Sequence, residues 1–156
     1  MMNATTITKK ILGIQLLILI LFIAEIAVAG DFASVLKDGV NIRSGPSTKN
    51  DVLWEVFKDY PVEVLQRQGD WVQVRDFEGD KGWIYASLIS KEITMIVKVE
   101  TANMRSGPTK EDKIIATVKK GVVFEPVETQ GNWMKLSYKN DITGWIHNSL
   151  LWPSSF

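Results

Sequence analysis

Beyond residue 30 the chain runs in short stretches where apolar and polar residues alternate, the period of two that predicts β-strands. In the first half these stretches fall at Ala33–Leu36, Val40–Arg43, Val52–Phe57, Pro61–Arg67, Trp71–Asp76 and Lys81–Ile84. Between them lie Lys37-Asp38-Gly39, Ser44-Gly45-Pro46-Ser47, Lys58-Asp59-Tyr60, Gln68-Gly69-Asp70 and Phe77-Glu78-Gly79-Asp80. Each separator holds Gly, Pro, Asp or Ser, residues whose backbone preferences suit turns. The alternation also assigns faces: Val62 and Val64 oppose Glu63 and Leu65, Val72 and Val74 oppose Trp71 and Gln73, and Ile84 opposes Trp83 and Tyr85. A flat sheet would leave one apolar side wet, whereas a curved sheet that closes on itself buries it and limits exposed edges. The expectation is all-β, a small barrel with a single 3₁₀ turn at Ala86-Ser87-Leu88 before its last strand.

The pattern then repeats. Shifting the chain by 62 positions lays Asn41-Ile-Arg-Ser-Gly-Pro46 on Asn103-Met-Arg-Ser-Gly-Pro108. The same shift lays Gly69 on Gly131, Trp71 on Trp133, Gly82-Trp83-Ile84 on Gly144-Trp145-Ile146, and Ser87-Leu88 on Ser149-Leu150. A unit of about 60 residues is long enough to fold by itself, unlike shorter solenoid repeats. The predicted organisation is residues 30–91 and 92–156, two tandem barrels joined near Ser90–Ile93 with little chain between them. Trp152 and Phe156, just past the second copy, are candidates to cap the last barrel or the interface.

Residues 1–29 have the build of a signal peptide: Lys9 and Lys10, an apolar run from Ile11 to Ile23, and the small-x-small site Ala27-Val28-Ala29. An uncleaved helical membrane anchor is the competing reading, although the strongly apolar part is short for a span. The chain is therefore expected to be exported, periplasmic or secreted, with a membrane as partner only if that helix stays. It has no Cys, which rules out a lipidated cysteine, disulfides and thiolate ligands. With 18 basic and 18 acidic residues interspersed, no broad basic field exists for nucleic acid or anionic lipid.

The block N-(I/M)-R-S-G-P, a middle G-(D/N)-W and a late G-W-I followed by S-L resemble the bacterial SH3 (SH3b) domain, in both copies at one spacing. Val-Leu-Trp-Glu-Val, Pro-Val-Glu-Val and Trp-Val-Gln-Val-Arg-Asp in the first copy are similar to envelope-associated SH3-like proteins of Gram-negative bacteria. The resemblance implies two SH3-like partly open β-barrels and a non-catalytic role. It also implies targeting to the cell wall through peptidoglycan or its stem peptides.

Candidate site residues follow from the repeat and its exceptions. Arg43 and Arg105 open the Arg-Ser-Gly-Pro turns, either as braces paired with Glu63 and Glu125 or as contacts for a ligand carboxylate. Gly45 and Gly107 shape those turns, and Trp71, Trp83, Trp133 and Trp145 read as barrel-seam residues. Trp54 faces Ala116 across the repeat, so a barrel folds without that ring, and Trp54 is expected at the surface or between the barrels. With Tyr60 and Tyr85 it forms the predicted aromatic groove of the first copy. His147, the only histidine, has Ser149 two residues on, a spacing that by itself establishes no hydrogen bond. Asp76-Phe77-Glu78-Gly79-Asp80 lacks calcium-loop spacing and reads as a solvated hairpin tip. No catalytic residue, metal site or cofactor is expected. Two functions compete: a non-enzymatic peptidoglycan-binding module, and a periplasmic adaptor that holds extended segments of an envelope protein.

Overall fold

A computed structural model describes residues 31–139 and 141–156. The predicted signal helix lies outside the described residues. Fourteen strands and two 3₁₀ turns, with no α-helix among the described residues, form two sheets of seven strands each.

The first sheet is built from β1 (Asp31–Val35), β2 (Val40–Arg43), β3 (Val52–Val56), β4 (Pro61–Gln68), β5 (Trp71–Arg75), β6 (Lys81–Tyr85) and β7 (Ile89–Ser90). The second uses β8 (Met95–Val97), β9 (Thr101–Arg105), β10 (Ile114–Lys119), β11 (Val123–Gln130), β12 (Trp133–Tyr138), β13 (Ile142–His147) and β14 (Leu151–Trp152). Strand order is β3-β2-β6-β5-β4-β1-β7 in one and β10-β9-β13-β12-β11-β8-β14 in the other. Every pairing is antiparallel, and the 62-residue shift carries one ladder onto the other. Even the bulges repeat, between Val64 and Gln66 in β4 and between Pro126 and Glu128 in β11. A bulge adds local twist and bend, which is how a short sheet curls into a barrel. The β4–β5 and β11–β12 hairpins turn on Gly69 and Gly131, both at φ 57°, a left-handed conformation that favours glycine. The 3₁₀ turns fall at Ala86–Leu88 and Asn148–Leu150, each followed by a two-residue last strand.

The alternation places the core as read. Val62, Val72, Val74 and Ile84 are buried with Val35, Val40, Ile42 and Val56 inside the first barrel. The second core keeps the geometry and changes the filling. Ala33, Ile42 and Val72 give way to Met95, Met104 and Met134, all buried. Methionine is flexible enough to fill the volume left where Trp54 becomes Ala116 and Tyr60 becomes Val122.

The barrels touch through a patch marked by divergence between the copies. In the first barrel Ser34 and Ser90 sit opposite each other on β1 and β7, their hydroxyls 2.9 Å apart. The equivalent pair in the second barrel is Ile96 and Trp152. Ile96 is fully buried and packs with the first barrel's core, as do Val123 and Trp152. The Trp152 ring meets Phe32 edge-on, centroids 5.2 Å apart. Thr94 Oγ1 donates to the Asp59 carbonyl at 2.6 Å, and Lys120 pairs with Glu78 at 2.7 Å while lying over the Phe77 ring. Trp152 thus takes the interface role read for it, whereas Phe156 is exposed.

Candidate functional site

The interface opens into a groove of about 620 Å³, within the range of small-molecule and peptide sites. One wall comes from two turns of the first barrel, the β1–β2 turn with Asp38 and the β3–β4 turn with Phe57 and Asp59. The other comes from β11 and β12, with Glu125, Ser137 and Tyr138. Lys58 and Lys139 add positive charge. The first wall is held in shape locally. Asp38 accepts the Lys58 amide at 2.8 Å, and Asp59 sits at φ 65°, which turns the chain sharply between two strands.

Behind that wall Tyr60 is buried between Phe57 and Phe77, with centroids 5.2 and 6.2 Å away. Its hydroxyl donates to Asp76 Oδ2 at 3.4 Å. Burial, and then the negative charge of Asp76 and Glu78, pushes the Tyr60 phenol well above its ordinary range, so it stays a donor. Asp76 is itself buried and accepts the amides of Glu78 and Asp80, both at 2.9 Å. The acidic segment is therefore a hairpin organised around an inward carboxylate, with Glu78 engaged by Lys120; only part of it is a solvated tip. The Glu78 contact, in hydrogen bond and in charge, raises the Lys120 ammonium's pKa.

The predicted groove of Trp54, Tyr60 and Tyr85 does not form. Tyr60 is inside the core. Tyr85 lies on the outer face, edge-on to Trp71 at 5.4 Å. Trp54 neither projects freely nor reaches the second barrel: it covers Ile42 and Gly82 at the end of its own core, its indole Nε1 buried without a partner. Strand alternation assigns a face to each ring but not which ends of the barrel come together.

The Arg-Ser-Gly-Pro loops also differ from expectation in their partners. Arg43 donates to the carbonyls of Thr48 at 3.2 Å and Asn50 at 2.9 Å, and Arg105 to that of Asp112 at 2.8 Å. Both guanidiniums staple their own loop. Glu63 pairs instead with Arg75, at 2.7 Å to Nε and 2.5 Å to a terminal nitrogen. The glycines in these loops are needed for space, with φ outside the left-handed region: a Cβ on Gly45 would lie 2.8 Å from the Asn50 side chain, and one on Gly107 2.6 Å from the Asp112 carboxylate. Trp83 and Trp145 are buried on the face opposite the core, beside Arg43 and Arg105 in register. Trp71 and Trp133 are half-buried and carry the edge-on Tyr85 and His147 rings.

His147 and Ser149 do bond, because the 3₁₀ turn brings them together. The Ser149 amide donates to Nδ1 at 3.3 Å, and its hydroxyl lies 2.8 Å from the same atom. An amide can only donate, so Nδ1 accepts and the neutral ring carries its proton on Nε2. The imidazole caps the turn, a service Tyr85 does not provide in the first copy.

The geometry so far is a doubled barrel with matched loops. The bacterial SH3 domain profile matches residues 36–91 and again residues 98–153. The chain belongs to the bacterial SH3 domain family. A curated relative, the putative N-acetylmuramoyl-L-alanine amidase YrvJ of Bacillus subtilis (strain 168), is 30% identical over 134 residues. That match takes in 79% of this chain and 26% of the relative, so this bacterial SH3 protein spans about a quarter of the amidase's length. Among solved structures, NlpC2 from Trichomonas vaginalis is 20% identical at a TM-score of 0.33, covering 78% of this chain and 47% of that one. An NlpC/P60 family protein from Bacillus cereus ATCC 10987 is 13% identical at a TM-score of 0.36, covering 77% and 55%. The expectation that the chain is not an enzyme is corrected by the amidase match. A relative that aligns with most of this chain is named as an enzyme.

Proposed function

We propose that the tandem barrels, residues 30–91 and 92–156, form a recognition unit of the bacterial envelope that binds peptidoglycan through its stem peptides. The inter-barrel groove carries this reading. It is large enough for an extended peptide segment, apolar at Phe57 and Tyr138, and lined by carboxylates and ammonium groups that suit a ligand bearing both charges. The amidase relative supports it, since its name describes an enzyme acting on a muramoyl-peptide linkage. The signal-like N-terminus agrees with export. Sedimentation of the purified chain with peptidoglycan sacculi tests the reading. Retention that falls when Phe57→Ala or Tyr138→Ala is introduced is expected; no retention above that of an unrelated small barrel would reject it.

A specific observation favours the adaptor as second reading. Edge strands β3 and β10 each pair on one side only, and expose Val52 and Leu53, or Ile114 and Ile115, at equivalent positions. An exposed apolar edge can accept an extended segment as an added strand. In-cell crosslinking from position 53 or 115 that captures envelope proteins independently of glycan would favour it.

A further inference from the structure

In the first barrel Glu63 and Arg75 lie directly opposite on β4 and β5 and form an ion pair. In the second, Glu125 lies opposite Ser137 in the same register. The carboxylate is kept and its guanidinium is gone. Side chains so paired stand roughly 5 Å apart at Cβ, so replacing arginine by serine opens a seat beside the acid. The groove lies over that seat, lined by both residues. Ser137 is 9% exposed. Glu125 has no ion-pair partner among the described residues. Lys139, on the rim, holds its ammonium over the Tyr138 ring at 5.1 Å. Asp38 and Asp59 line the same groove from the first barrel, so with Glu125 its acids outnumber Lys58 and Lys139.

We infer that the groove binds a cationic group of its ligand, an ammonium held by the Glu125 carboxylate and donating to the Ser137 hydroxyl, in the place Arg75 occupies in the first barrel. This deepens the peptidoglycan reading and rests on it for the source of the cation, a free amine of a stem peptide. No bond is made or broken; the seat replaces water around the amine with an ion-paired hydrogen bond to the carboxylate and a charge-assisted one to the hydroxyl.

The test uses the full chain, ¹⁵N-labelled, in a neutral detergent that covers its apolar N-terminus. Titration with 1,5-diaminopentane should shift the amides of Glu125, Ser137 and Tyr138, and its diacetylated, uncharged form should not. Glu125→Gln should weaken the diamine by threefold or more. Ser137→Arg should rebuild the first-copy pair, fill the seat from within and abolish the response, while the remaining spectrum stays folded. Shifts confined to other residues, or a loss under threefold in Glu125→Gln, would overturn the cation seat. In parallel, native sacculi should be retained better than sacculi whose amines have been acetylated. Equal retention overturns the assignment of the cation to the wall. No retention of native sacculi rejects the peptidoglycan reading itself, whereas a diamine response in the groove would still support the seat.

Discussion

Replacing Tyr60 by Phe separates the hydrogen bond from the ring. The ring packs between Phe57 and Phe77, and Phe preserves that contact. The lost bond to Asp76 is long, 3.4 Å, and Asp76 keeps two amide donors at 2.9 Å. The cost at pH 7 should therefore be at the low end for a buried hydrogen bond, about 0.5–1 kcal/mol. The alkaline behaviour is more diagnostic. Burial, then Asp76, raise the phenol's folded-state pKa above the unfolded value of about 10. Such a group contributes its full stability below pH 10 and loses it as pH rises, because only the unfolded chain then releases the proton. Through this residue stability should fall as pH rises above 10, by at most about 1.4 kcal/mol per pH unit. Lys120 acts in the same direction through its hydrogen bond to Glu78, so Lys120→Met belongs in the series as a control. Urea unfolding at pH 7, 10, 11 and 11.5 reads the slope directly. Wild type and Lys120→Met should fall with Tyr60's share intact, and Tyr60→Phe should fall less by that amount. A Tyr60→Phe protein with the wild-type alkaline slope would refute the argument.

Three further outcomes are expected. Trp54→Ala should destabilise the first barrel by about 2–3 kcal/mol, less than a fully buried Trp because the ring is only half-buried; adding Ile42→Met, the residue of the second copy, should recover part of this in denaturant melts. Gly107→Ala should cost about 1–3 kcal/mol, since the new methyl meets the Asp112 carboxylate, which Thr109 fixes by hydrogen bonds of 2.9 and 2.7 Å; a thermal melt unchanged within error would count against the clash. Trp152→Ser should loosen the barrels from each other, because it removes the contact to Phe32 and the first core; hydrogen exchange would show β8 and β14 losing protection before the β4–β5 hairpin.

Sequence reasoning and structure agree where local chemistry decides. Val72, Val74 and Ile84 are buried because strand alternation leaves them no other face, and the hairpins turn at Gly69 and Gly131 where the left-handed backbone demands it. The repeat carried signals that single-residue reading passed over. The change of Ser34 and Ser90 to Ile96 and Trp152 marks the interface, and the change of Arg75 to Ser137 marks the proposed cation seat; both sit in the 62-residue alignment. Trp54, Tyr60 and Tyr85 share a residue type but no surface, since Tyr60 enters the core, Trp54 packs against it and Tyr85 lies outside against Trp71. Glu63 keeps step with Arg43 along the chain, but its cross-strand neighbour and ion-pair partner is Arg75.

Two curled sheets of one design are written into the order of residues, since period-two patterning and turn residues act over a few neighbouring positions and recur at a fixed shift. That Ile96 enters the other barrel's core, that Tyr60 turns inward onto Asp76, and that Glu125 and Ser137 line a shared groove is settled in the folded chain alone. Those outcomes depend on which surfaces meet when the barrels dock, a matter of packing between residues far apart in the chain, on which local propensity has no hold.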